Sequence, residues 1–201
     1  FRSRHFNNMN DYTDRQNQII QESIQLIADK GIQGLTIKNI SKAIGISEPA
    51  IYRHFENKND IILAIISTMK ESTNKELSQI DDNNATIEKI KKMIQGHTNR
   101  FINNPSLTAI IFSEEIFNNN SILAKPIRMM MRRNQNKMIS MIEKGQVAGD
   151  VRVDINAEQI SLMVIGSFRF LVSKWHIMNF DFDLNKEVNE MLGAIEKVLK
   201  V

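Results

Sequence analysis

The sequence predicts an all-α protein of nine helices, with a small N-terminal domain of three helices and a larger C-terminal domain of six. Apolar residues recur at intervals of three and four residues along most of the chain, as they do on one face of a helix. The 201 residues include only 3 prolines and 8 glycines, so few positions interrupt a helix. No segment shows the strict alternation of apolar and polar residues that indicates a half-buried strand.

The first domain begins with a helix over about residues 13–30, because its apolar residues have helical spacing. These residues are Ile19, Ile20, Ile24, Ile27 and Ala28. A short second helix follows Thr36, whose side chain suits an N-cap. Gly45 marks a turn, and a third helix over about 48–54 follows Ser47 as its N-cap.

The second domain begins with a fourth helix that extends to about residue 80. The remaining five predicted helices cover about residues 86–103, 106–117, 121–148, 156–178 and 184–199, with polar breaks between them. The predicted domains are therefore 11–58 and 59–201, with residues 1–10 as a tail or an expression remnant.

Composition narrows the classes of function. The chain has no cysteine, which excludes disulfides, thiol catalysis and cysteine-based zinc sites, and suits a cytoplasmic protein. The net charge of +3 is small, and residues 1–60 carry eight basic and seven acidic side chains. Any argument for nucleic-acid binding must therefore depend on pattern. The longest uninterrupted apolar run, 61–66, is far too short for a membrane span, so no membrane partner is expected.

Residues 36–58 have the pattern of a helix-turn-helix. Such a motif requires a small residue where its two helices cross, which Ser41 supplies, and a turn residue that tolerates positive φ, which Gly45 supplies. Apolar residues on both sides of the turn would pack the helices together: Ile40, Ile44, Ile46 and Ile51. Polar or small residues would then face outward from the third helix: Ser47, Glu48, Ala50, Tyr52, Arg53 and His54.

The run Gly45-Ile-Ser-Glu-Pro-Ala-Ile-Tyr-Arg-His-Phe-Glu-Asn-Lys58 resembles the signature of the TetR family of transcriptional repressors. The resemblance covers about residues 13–66, and beyond them it is one of helix count and length only. Ser41 stands where the family usually has alanine, and both residues are small.

The resemblance implies roles for the residues of the motif. Four would contact DNA phosphates: Thr36, Tyr52, His54 and Lys58. Five would lie in or near the major groove: Lys38, Ser47, Glu48, Ala50 and Arg53. Phe55 would belong to the core. For Glu48 the alternative is that its carboxylate stabilises the dipole of its own helix.

The resemblance also implies an apolar ligand pocket among helices four to eight. The residues expected to line it include Phe101, Phe112, Met130, Met138, Phe168, Arg169 and Trp175. Alternatives remain open for several of them. The methionines of helix seven can equally fill an ordinary core, Arg169 can pair across a subunit interface, and Trp175 can close the end of helix eight.

Helix eight is apolar on almost every side and therefore requires burial on several sides. We expect it to form a homodimer interface together with helix nine, so that two helix-turn-helix motifs bind a palindromic operator. Helix four is the only covalent connection expected between the two domains. A ligand that favours one position of this helix would change the spacing of the two motifs and release the DNA.

An enzyme is the rival class. No Glu-x-x-His pair marks a two-metal bundle, the four histidines do not cluster, and no glycine-rich phosphate loop is present. We therefore expect no catalytic residue, no metal site and no cofactor.

Overall fold

The computed structural model describes residues 12–78, 84–112 and 121–200, and within these ranges the chain is helical without any strand. The predicted all-α class is thus confirmed. The nine α-helices in these ranges are α1 (Asp14–Lys30), α2 (Ile37–Ile44), α3 (Glu48–Tyr52), α4 (Lys58–Ser78), α5 (Thr86–Asn103), α6 (Leu107–Ile111), α7 (Ser121–Ala148), α8 (Ala157–Ile177) and α9 (Leu184–Leu199). A 3-10 turn, Ile32–Gly34, follows α1.

The chain divides into two compact units. The first consists of the described parts of Phe1–Ser72 and Ser106–Arg128, and the second of those of Thr73–Pro105 and Met129–Val201. The first unit contains the described part of the predicted DNA-binding domain, 11–58, and continues beyond it through most of α4 and through α6. The boundary at residue 58 remains a prediction.

In the first unit, α1 is the helix against which α2 and α6 pack. It begins with a capping box, in which Thr13 Oγ1 accepts a hydrogen bond from the Gln16 backbone and the Gln16 side chain accepts one from the Thr13 backbone. Its buried face carries Ile19, Ile20, Ser23, Ile24, Leu26 and Ile27. On the exposed side, Ser106 Oγ donates a hydrogen bond of 3.2 Å to Gln25 Oε1 and joins the start of α6 to α1.

The end of the third helix and the cap at its start differ from the prediction. The third helix ends at Tyr52 instead of about residue 54, because the His54 and Phe55 amides both donate to the Ile51 carbonyl and tighten the last turn. Ser47 precedes α3 but its side chain makes no capping hydrogen bond. The predicted end of helix four near residue 80 and residues 113–117 of predicted helix six lie outside the described residues.

In the second unit, α9 packs against both α5 and α8. Glu196 of α9 accepts from Lys91 of α5 at 2.7 Å and from Lys200 at 2.6 Å. The hydrogen bonds from Lys200 and Lys91 lower the pKa of Glu196 to about 2. The carboxylate therefore stays charged to lower pH than an ordinary glutamate, and the contact between α5 and α9 includes its ion pair with Lys91.

The N-terminus of α5 is capped by a residue distant in sequence. Ala85 occupies the N-cap position and has no side chain that can accept, and Asp150 Oδ2 instead accepts from the Thr86 amide at 2.7 Å. The loop that carries Asp150 is held by Gln146, whose Nε2 donates to the carbonyls of Arg152 and Ile155. The end of α7 and the start of α5 are therefore fixed to each other.

Helix α8 is long and apolar enough, by length and composition, to cross a membrane, in contrast to the expectation that no segment would be. Only 33% of its 18-residue apolar window is buried. The core helix of a soluble protein meets the same criteria, so the finding by itself is weak evidence for a membrane. Several large apolar residues of α8 are exposed, among them Phe170 and Ile177.

We predict that Gly145→Ala destabilises the second unit. An added Cβ at Gly145 would lie 2.5 Å from Thr86 Oγ1 and 2.7 Å from Asp150 Oδ1, so the cap of α5 would have to move. Overpacking of this kind lowers the free energy of unfolding by about 1–3 kcal/mol. Gly193→Ala is the matched control, because an added Cβ there meets no atom within 4 Å. Urea titration followed by circular dichroism measures both, and equal stability of the two variants would contradict the prediction.

Candidate nucleic-acid interface

The turn between α2 and α3 is built on Gly45. Its φ of 76° and ψ of 33° lie in the left-handed region, as the glycine in the motif predicted. The Gly45 and Ile46 amides both donate to the Ser41 carbonyl, at 2.9 and 3.0 Å. Ser41 itself is buried, and its hydroxyl donates to the Lys38 carbonyl at 2.9 Å. The hydroxyl of this small side chain therefore finds its hydrogen-bond acceptor within its own helix.

The inner side of α3 is fixed by apolar burial. Ile51 and the neighbouring Ile40 are fully buried, and Phe55 is 2% exposed. Phe55 therefore belongs to the core, as the resemblance implied. Ile44 and Ile46 are only partly buried. Because Ile51 and Phe55 occupy the core, the other side of α3 must face solvent.

The outward residues of α3 are those that the sequence nominated for DNA. Tyr52 is 51% exposed, and Ser47, Glu48 and Arg53 are exposed as well. Ala50 and His54 are partly exposed. The hydroxyl of Ser47 is not used as a cap, so its oxygen is available to a ligand. This arrangement can present hydroxyl, carboxylate and guanidinium groups to base edges, while the contacts themselves remain a prediction.

The residues proposed to contact phosphates on either side of α3 differ in their own hydrogen bonds. Thr36 is exposed and caps α2, with Oγ1 accepting from the Asn39 amide at 3.0 Å, so its hydroxyl proton is still able to donate. Lys38 is exposed on α2. Lys58 is partly buried, and its Nζ donates to the Ile32 carbonyl at 3.3 Å. An ammonium group has three donors, so this bond orients Lys58 without consuming its capacity to bind phosphate.

The far end of the motif is tied to α1. The Gln16 side chain donates to the His54 carbonyl at 3.4 Å. This contact fixes the backbone of the turn after α3, from which the His54 imidazole extends. Tyr52 precedes it by two residues, so both side chains lie close along the chain to the carbonyl that Gln16 of α1 contacts.

The predicted ligand-pocket residues do not all come together. Four are buried in the second unit: Phe101, Met138, Phe168 and Trp175. Met130 belongs to the same unit and is partly exposed, Arg169 is exposed, and Phe112 belongs to the first unit. The Trp175 ring packs edge-on against Phe180 at 4.6 Å, and its Nε1 donates to the Phe182 carbonyl at 3.0 Å. Trp175 thus secures the turn between α8 and α9.

A polar pair on α5, His97 and Arg100, lies near Phe168 and was not nominated by the sequence. Arg100 Nη1 lies 3.3 Å from His97 Nδ1, and the His97 ring is 6.3 Å from the Phe168 ring. Burial lowers the pKa of His97 to about 4, and the Arg100 charge acts in the same direction. The only sequence signal for the pair is its i, i+3 spacing on a helix whose inner face is otherwise apolar.

An open groove runs between the outer sides of α8 and α9. Its volume is about 600 Å³, and its lining consists of Gly166, Ser167, Phe170, Leu171, Glu187, Glu190 and Met191. Phe170 is 68% exposed there, although it is a large apolar residue. Among the described residues, no group of three or more histidine, aspartate or glutamate side chains is placed to hold a metal ion.

Two protein-family models match the chain and together cover most of it. The family described as bacterial regulatory proteins, tetR family, matches residues 19–65. The family described as YsiA-like protein, C-terminal region, matches residues 63–197. The first match contains the helix-turn-helix, and the second contains α5 to α8 and most of α9.

Known relatives agree with these families. The fatty acid metabolism regulator protein of Bacillus subtilis is 25% identical over 182 residues, which are 89% of this chain and 92% of the relative. A nucleoid occlusion factor, SlmA, of Vibrio campbellii is 20% identical over 94% of this chain and 97% of its own length. The crystal structure of the transcriptional regulator FadR from Bacillus subtilis in complex with stearoyl-CoA has a TM-score of 0.75 at 21% identity, over 89% of this chain and 96% of that one.

We predict that Arg53→Met changes which DNA sequences the protein prefers. A guanidinium that contacts a base edge contributes about 1–3 kcal/mol to discrimination at that base pair. Arg128→Met is the matched control, because Arg128 is also an exposed arginine of the first unit but lies on α7.

Sites selected by the wild-type protein from random duplexes, and single-base variants of them, would be ranked by fluorescence anisotropy at one salt concentration. We expect Arg53→Met to flatten the ranking at one base pair of each half-site and Arg128→Met to preserve it. An unchanged ranking for Arg53→Met would exclude the proposed base contact.

Proposed function

Because the chain belongs to the TetR family of bacterial regulatory proteins, we propose that it is a homodimeric transcriptional repressor released from a palindromic operator by a ligand with a long apolar chain. The geometry of α3 is the observation that supports DNA binding. Ile51 and Phe55 fix one side of it in the core, so that Tyr52 and Arg53 project from the other.

The DNA contacts that we propose follow from this geometry. Side chains at the exposed start and outer side of α3 enter the major groove: Ser47, Glu48, Ala50 and Arg53, with Lys38 of α2 beside them. Phosphates on either side are bound by Thr36, Tyr52, His54 and Lys58. Both sets lie on one short stretch of chain, so a single motif covers only a few base pairs and a second copy is needed for selectivity in a genome.

The dimer is supported by the exposed apolar side of α8. Leu162, Phe170 and Ile177 are 59%, 68% and 74% exposed, and they lie on the side opposite the buried residues of the same helix. Several large apolar side chains exposed on one side of a helix point to an interaction site. The groove beside it is lined in part by Gly166, at which an added Cβ would meet no atom within 4 Å. The two-fold dimer through α8 and α9 would cover this surface.

The ligand class is supported by two observations. The FadR structure that resembles this chain was solved with stearoyl-CoA, a ligand with a long acyl chain. In this chain the second unit contains adjoining aromatic rings, with Phe101 and Phe168 at a centroid distance of 6.3 Å, and the flexible side chain of Met138 is buried in the same unit. Apolar, adaptable side chains of this kind suit an acyl chain.

Release would proceed by a shift between two conformations of the dimer, of which the ligand binds one more tightly. The chain passes between the two compact units at three places, within α4 after Ser72, after Pro105 and within α7 after Arg128. The sequence-based expectation named helix four alone as the connection. A ligand that acts on the second unit therefore has three covalent routes to the unit that carries the motif.

We predict that Gly166→Leu produces a monomer that binds the operator weakly. The fold should tolerate the change, because a Cβ at Gly166 meets no atom within 4 Å and leucine favours a helix more than glycine does. In the dimer, however, the leucine side chain would fill the groove. Gly193→Leu is the control, since that glycine of α9 is equally open to a Cβ and does not line the groove.

Sedimentation at micromolar concentration and anisotropy with operator DNA measure the two effects. We expect a dimer for the wild type and for Gly193→Leu, and a monomer with at least about tenfold weaker operator binding for Gly166→Leu. A monomeric wild type would contradict the homodimer. A Gly166→Leu variant that remains fully dimeric would place the interface elsewhere.

A further inference from the structure

We propose that Gln16 is a positioning residue for operator binding, because its carboxamide holds the backbone from which two of the proposed phosphate contacts, Tyr52 and His54, extend. The inference rests on the proposed function, since it concerns how the DNA-binding motif is held in place. It assigns a role to a residue that lies outside the segment 36–58. Gln16, Tyr52 and His54 all belong to the first unit.

The backbone at His54 lies beyond the end of α3, which has only five residues and ends at Tyr52. Carbonyls at such a position have no partner within the helix. The His54 carbonyl instead accepts from Gln16 Nε2 at 3.4 Å, across 38 positions of the chain. Burial of Phe55 holds the chain at the next residue, and the bond from Gln16 fixes the direction of the His54 carbonyl.

The same carboxamide has a second contact at the start of α1. Gln16 Oε1 accepts from the Thr13 amide at 3.0 Å and from Thr13 Oγ1 at 3.2 Å, and Thr13 Oγ1 accepts from the Gln16 amide at 3.3 Å. These bonds form the capping box of α1 and hold the carboxamide in one orientation. The oxygen of Gln16 is therefore used at the cap, and the nitrogen is directed to His54.

The two contacts together require a carboxamide. A capping box takes glutamate or glutamine at this position, because both supply an oxygen that accepts. An ionised glutamate has no hydrogen to donate to a carbonyl, whereas lysine and arginine can donate but cannot accept from the Thr13 amide. The bond to His54 is thus the contact for which glutamine is needed in place of glutamate.

Operator binding should therefore depend on the nitrogen of Gln16 and not on its oxygen. Without the bond to the nitrogen, the His54 peptide can take other orientations in the free protein. DNA binding must then restrict those orientations before Tyr52 and His54 meet their phosphates, and this ordering opposes binding. The operator affinity falls while the fold is retained.

Three variants of the full-length protein separate the two contacts of the carboxamide. Gln16→Glu keeps the acceptor for the cap and loses the donor, and Gln16→Met loses both without adding charge. Gln18→Glu is the matched control, because Gln18 is an exposed residue of the same part of α1 whose Oε1 accepts from Arg15 Nη1 at 2.6 Å. It adds the same negative charge as Gln16→Glu. Fluorescence anisotropy measures affinity for a duplex selected by the wild type, and circular dichroism measures thermal unfolding.

We expect Gln16→Glu to bind the duplex about three- to tenfold more weakly than Gln18→Glu, and Gln16→Met to lose a similar factor relative to the wild type. Gln16→Glu should unfold at the same temperature as Gln18→Glu, because its cap is retained. The same Gln16 variants are then made in a background that carries Tyr52→Phe and His54→Ala. There the changes at Gln16 should weaken binding by less than about twofold, because the side chains that Gln16 positions no longer reach phosphate.

Three results would overturn the assignment. The first is operator binding by Gln16→Glu equal to that of Gln18→Glu, which would limit Gln16 to the cap. The second is an equal loss in both backgrounds, which would indicate a general effect on the domain. The third is a Tyr52→Phe, His54→Ala protein that binds like the wild type. A wild type that selects no duplex would refute the proposed function and this inference together, whereas each of the three results leaves DNA binding itself established.

Discussion

The left-handed conformation of Gly45 is the constraint on which the DNA-binding geometry depends. It reverses the chain within one residue, so that the Ser41 carbonyl accepts from both Gly45 and Ile46 and α3 crosses α2 at close range. Ile40 of α2 and Ile51 of α3 are both fully buried, and Arg53, two residues after Ile51, is exposed. A side chain at Gly45 would meet no atom within 4 Å, so the constraint is the backbone conformation and not space.

The N-terminal domain was predictable because its determinants are local. A cap such as Thr36, a left-handed glycine and apolar spacing act over a few residues, and the structure has α1, α2 and the turn where they were expected. The end of α3 was not predictable from caps, because the His54 and Phe55 amides close on the Ile51 carbonyl in a turn that the sequence does not mark. The contact between Gln16 and the His54 carbonyl, 38 residues apart, had no local signal either.

The second unit was harder to predict because its determinants join distant residues. An apolar helix such as α8 looks the same in sequence whether its outer side meets solvent or a subunit, and only the structure separates buried Phe168 from exposed Phe170. Trp175 was nominated for the pocket but packs against Phe180, which has a positive φ of 65° that its sequence does not suggest. The surroundings of the polar pair His97 and Arg100 were not predictable, because Phe168, which lies near His97, belongs to another helix.

The proposed function requires that one ligand-binding unit and one DNA-binding unit are coupled, and coupling between two binding sites is reciprocal. The most direct test is the affinity for stearoyl-CoA with and without a saturating operator duplex. If the ligand releases DNA about 100-fold, which corresponds to about 2.7 kcal/mol, operator DNA must weaken ligand binding by the same factor. Tight binding of stearoyl-CoA that operator DNA leaves unchanged would contradict the account.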